Sequence, residues 1–149
     1  MSTTKTQIAT NLETLNDGVA QIWIQLSSSS LTDEERQVFL LKLSIVKMIF
    51  DFLKAMKDIS EKQATLVTLC MRGGRCTSKD MRELGFRTLD HMRYVRNQME
   101  TLLEATVLNT DQVNRLFETN SLAEVMEIKN WYVTNVLQNK QLLRFIAQN

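Results

Sequence analysis

Thr32–Lys57, TDEERQVFLLKLSIVKMIFDFLKAMK, is the stretch that decides how this chain folds. On a helix, at about 100° per residue, its apolar side chains occupy a very wide arc. Val38, Leu41, Ile45, Ile49, Leu53 and Met56 form the middle of that arc. Phe39, Leu43, Val46 and Phe50 widen it on one side, and Met48 and Phe52 on the other. Gln37, Ser44, Lys47, Asp51 and Lys54 leave only a polar stripe. A surface helix buries a narrower face than this. A helix apolar around most of its girth needs neighbours on several sides, so the stretch predicts the central helix of an all-α bundle.

Its start carries a capping signature. The Thr32 hydroxyl can accept from the amide three residues on, Glu35 can reach back, and the acids suit the positive end of the helix. The four-serine link Ser27–Ser30 precedes it, short enough for a helical hairpin. The first helix, about residues 4–26, carries Ile8, Leu12, Leu15, Val19, Ile22 and Leu26 at alternating spacings of four and three, flanked by Trp23. That is a heptad seam. It suits either an outer helix packed on one neighbour or a coiled-coil contact with a second chain.

Downstream, Ser60–Gln63 offers another capping box, and a third helix over about 61–71 buries Leu66, Val67 and Cys70. The adjacent Gly73 and Gly74 end it. A fourth helix is expected from about Thr77 to Val107, with Met81, Leu84, Thr88, Met92, Val95, Met99, Leu102 and Thr106 inward. A short fifth helix spans Asp111–Glu118. Ser121 with Glu124 opens the last, which runs to about Ala147. The chain, residues 1–149, is read as a single domain: an all-α compact bundle of five or six helices.

Composition agrees. The chain has no proline and four glycines, too little punctuation for a β-rich fold of this size but enough for long helices. About 68–70% of the unfolded surface of such a chain can be buried, so neither disulfide nor metal is needed to hold it. The first residues lack the basic and apolar regions of a signal peptide. Lys42, Lys47 and Asp51 interrupt the longest apolar run, which argues against a membrane span. Two cysteines without a secretory signal read as thiols. An intracellular, cytoplasmic protein is expected.

The charge is uneven. Arg72–Arg96 holds seven basic residues against three acids, a balance of +4, while the rest of the chain carries −3. On one continuous helix, Arg75, Lys79, Arg82, Arg93 and Arg96 share a sector, with Arg72 and Arg87 close by and Phe86 and Leu89 between them. An arginine stripe suits phosphate, because each guanidinium is a planar fork of donors and each neutralised phosphate releases a counterion. Duplex RNA would be met through phosphates and 2′-hydroxyls. An acidic protein segment would suit the same arginines. The plainer reading is a solvated face in which Asp90, Glu100 and Glu104 pair with the arginines. Small all-helical proteins with a basic helix face include viral RNA-silencing suppressors and RNA-binding cores of viral transcription factors. No motif ties this chain to either group.

Signals for catalysis are weak. Phosphate-binding loop, nucleophile-elbow, zinc-protease and dinucleotide fingerprints are missing from the sequence. Cys70, Cys76 and the single histidine, His91, are too few for a tetrahedral zinc site. One buried thiol and one partly exposed, inert thiol are expected, with no metal, no cofactor and no enzymatic activity. The last helix offers a different hint. Trp131, Leu142 and Phe145 point away from its main face, and such a second apolar patch is either buried twice or kept for a partner. The chain is therefore expected to self-associate, as a dimer, or to bind a protein partner, through Trp131, Leu142 and Phe145 or through the seam of Ile8, Leu12, Leu15 and Val19 with Trp23. The alternative is RNA or other nucleic-acid binding through Arg72, Arg75, Lys79, Arg82, Arg87, Arg93 and Arg96.

Overall fold

The structure, a computed structural model, describes residues 7–28, 30–59, 61–72 and 76–148; the side chains of 59, 61–63, 65 and 145–148 fall outside that description. The capping box at Ser60 therefore lies outside the described residues. The described residues are helical and contain no strand. Helices α1 (Gln7–Leu26), α2 (Asp33–Ile59), α3 (Glu61–Arg72), α4 (Ser78–Leu84) and α5 (Leu89–Ala105) are followed by α6 (Thr110–Glu118), α7 (Leu122–Tyr132) and α8 (Lys140–Gln148).

The wide apolar arc of α2 is met from three sides, by α1, α3 and α7. Val38, Ile45, Val46, Ile49, Leu53 and Met56 are all buried, and Leu41, Met48, Phe50 and Phe52 pack around them. Each such side chain taken out of water contributes roughly 1.5–3 kcal/mol, which is why this helix organises the rest. Its start is a reciprocal capping box. The Thr32 amide donates to Glu35 Oε1 at 3.1 Å, and the Glu35 amide donates to Thr32 Oγ1 at 3.1 Å.

The first helix is less peripheral than its narrow seam suggests. It packs on α2, α3, α5 and α6. Gly18 lets α6 come very close: a Cβ there would run into the ring of Phe117. Asn11 supplies the polar tie. It is buried, and its Nδ2 donates to the Leu108 carbonyl at 2.7 Å and to Thr110 Oγ1 at 3.0 Å. Its Oδ1 accepts from Gln7 at 3.0 Å. One side chain thus holds α1 to the link between α5 and α6, nearly a hundred residues away.

Two of the expected helices are each divided. The fourth, read as continuous from Thr77 to Val107, is α4 and α5 with an elbow at 85–88. Gly85 has φ +74°, a left-handed conformation that glycine adopts at little steric cost. Its amide reaches Arg82 O, and the Phe86 amide reaches Met81 O at 3.1 Å, a Schellman-type stop with Phe86 buried beneath it. Thr88 then caps α5, its Oγ1 accepting from the His91 amide at 3.1 Å.

The last helix is interrupted by a π-helical turn at Val133–Leu137. The Asn135 and Asn139 side-chain amides donate to the Trp131 and Asn135 carbonyls, each at 2.9 Å. Asn139 also caps α8, accepting from the Leu142 amide at 2.9 Å.

Asn11→Ala leaves the buried Leu108 carbonyl without its donor. It is expected to cost about 2 kcal/mol and lower Tm by roughly 5 °C. The control Asn16→Ala, at an exposed position on the same helix, should stay within about 0.5 kcal/mol of the parent. Equal melting temperatures for the two variants would show that the tie carries no weight.

Candidate functional site

The basic stretch does not form one rail. The elbow at Gly85–Thr88 places Lys79 and Arg82 on α4 and Arg93 and Arg96 on α5, so the shared sector expected of a continuous helix is broken. Arg75 lies outside the described residues. Phe86 is buried and stacks edge-on against His91, with centroids 5.2 Å apart, and Leu89 is half-buried; neither stands between exposed arginines.

Most of the cations also have acidic neighbours. Lys79 lies 3.9 Å from Glu83, and Arg93 lies 3.6 Å from Asp90. Arg96 reaches Glu100 at 3.5 Å, both largely covered, and burial raises the Glu100 carboxyl against the pull of Arg96. Arg72 approaches Asp80 at 3.6 Å. Asp80 belongs to a capping box at the start of α4, accepting from the Thr77 amide at 3.0 Å while its own amide donates to Thr77 Oγ1 at 3.1 Å. Burial pushes the Asp80 carboxyl up, but the Thr77 hydrogen bonds and Arg72 hold it below its ordinary value. Arg82 and Arg87, on either side of the elbow, are exposed and form no ion pair among the described residues.

The expected apolar interfaces are mostly consumed by the fold. Ile8, Leu12 and Leu15 are buried in the chain's own core and Val19 packs against it, so the heptad seam is intramolecular. Leu142, expected on the outward patch, is fully buried, whereas its neighbour Leu143 is exposed. The break in the helix is the physical reason: the π turn ends at Gln138 and α8 starts afresh from its Asn139 cap, so it need not keep the phase of α7. Trp131 is half-buried and meets Tyr132 edge-on at 5.2 Å, and the Phe145 side chain lies outside the described residues. Of the interface candidates among the described side chains only Trp23 remains open, 58% exposed. Sequence periodicity missed two further exposed residues on the α1–α2 hairpin. Ile24 is 62% exposed and Leu40, on α2, is 52% exposed.

Among the described residues no cluster of His, Cys, Asp or Glu could hold a metal ion, and no helix is long and apolar enough to cross a membrane. Cys70 and Cys76 are both buried, Cys70 with its Sγ 3.9 Å from the Arg96 carbonyl, so the partly exposed thiol expected from sequence is covered as well. Burial pushes the Cys70 thiol far above its ordinary value. No family model, curated protein or solved structure matches this chain.

Both thiols are therefore expected to resist a water-soluble aromatic disulfide reagent in the native protein and to react fully in guanidinium. Rapid native reaction of Cys76 would mean that the turn before α4 opens readily.

Proposed function

We propose that this chain is a non-enzymatic interaction protein that self-associates through apolar surface on the α1–α2 hairpin. The observation that carries the reading is the exposure of Trp23, Ile24 and Leu40 on the two arms of one hairpin. Single exposed apolar side chains are ordinary. Here α1 buries one face in its own core and still presents Trp23 and Ile24 to solvent on other sides. Tryptophan is among the commonest anchors of protein interfaces. Two cysteines that form no disulfide fit an intracellular setting for this role.

Sedimentation velocity is expected to find the protein above the mass of one chain. Trp23→Ser with Ile24→Gln should return it to a single chain while its helical circular dichroism stays unchanged. A parent protein that sediments as one chain at every concentration would overturn self-association.

Arg82 and Arg87 favour a second reading, nucleic-acid binding at the elbow, because both are exposed without an ion pair among the described residues. In this reading fluorescence anisotropy would show duplex RNA bound with an affinity that falls steeply with salt. Arg82→Glu with Arg87→Glu would weaken every sequence alike. Binding that survives the double reversal would sink it.

A further inference from the structure

A cleft of about 420 Å³ opens between α1, α2 and the end of α6. Ile22, Phe39 and Phe117 give it apolar walls, and Gln21, Gln25 and Asn120 bring amides to it. Gly18 also lines it, and with no side chain of its own it lets the Phe117 ring lie against α1. The volume is within the range of small-molecule sites, and so is the lining: mostly apolar, with a few polar groups that fix orientation.

Among the described residues the one charged side chain lining this cleft is Lys42. It is only 2% exposed, in the middle of α2. Its ammonium lies 5.6 Å from the centroid of the Phe39 ring, and it has no hydrogen bond or ion pair among the described residues. Among the described residues no carboxylate lines the cleft. The nearest on the same face of α2, Glu35, lines the adjoining hollow with Phe39 and Asn120, and one of its oxygens is held by the Thr32 amide. Holding an ammonium in so confined a place without an anionic partner among the described residues is costly. The aromatic face offsets only part of that cost. Burial accordingly lowers the pKa of Lys42.

We propose that this cleft is a binding site for a small monocarboxylate with an apolar body, its carboxylate on Lys42 and its body between Phe39 and Phe117. The carboxylate supplies the counter-charge that the described residues do not. The two aromatic walls suit an unbranched or aromatic hydrocarbon, and the flanking amides can donate to the second carboxylate oxygen.

Octanoate is the probe and 1-octanol its uncharged match, each titrated into the full chain and followed by the Ile22 methyl and Gly18 amide resonances. Octanoate is expected to shift both signals saturably, with octanol at least tenfold weaker. Lys42→Met should lose the preference for the acid, and Lys42→Arg should keep part of it. Octanol binding as tightly as octanoate, no saturable shift with octanoate, or an unchanged preference in a folded Lys42→Met protein would each overturn the site. The octanol comparison is made on the parent protein, so it decides the question even where a variant fails to fold.

Discussion

Hiding the apolar arc of α2 is the constraint on which the other contacts depend. No single neighbour can cover an arc that runs from Phe39 round to Phe52. The chain folds α1 back through a short link, lays α3 along one flank and returns α7 to another. Because α1 must also reach α3, α5 and α6, its heptad seam is spent inside the molecule. A sequence pattern that would serve a two-chain coiled coil is used for a one-chain core. Besides the cleft at Gly18–Gln25, α1 then presents apolar surface to solvent at Trp23 and Ile24.

Polar groups inside this core follow two rules. Asn11 and Asp80 are buried with their partners: Asn11 on the Leu108 carbonyl and Thr110, Asp80 on the Thr77 amide. Each fixes a junction between elements, where a backbone donor or acceptor would otherwise be stranded. Lys42 departs from this. It is as buried as Asn11, yet it lies near an aromatic face and makes no hydrogen bond or ion pair among the described residues. A group so placed within a cleft is better suited to a ligand than to holding the fold.

The surfaces of the C-terminal half are set by interruptions of the backbone. Gly85 and Thr88 turn one long basic helix into two, dispersing its charges, and local acids pair with most of them. The π turn after Tyr132 re-phases α8, sending Leu142 inward and Leu143 outward. In both places a small local change in helical geometry decides which side chains meet water.

Residue pattern by itself determined the all-helical class, the central place of α2, and its capping box at Thr32 and Glu35. Those features rest on short-range physics, namely periodicity, capping and the scarcity of turn residues, which act within a few positions of the chain. It also marked Trp23 as a flank of the seam. Tertiary structure alone decided which apolar residues stay open. Ile8 and Leu142 look like interface residues until α2, α3 and α6 close over α1 and the π turn rotates α8. Gly85 shows the same limit: a lone glycine in an amphipathic stretch fits both a close helix crossing and a left-handed stop. Only the packing of Phe86 beneath the elbow selects the stop. Lys42 is the clearest case. In sequence it is one cation interrupting an apolar run, and its burial beside Phe39, without an acid, comes from where α1 and α6 happen to pass.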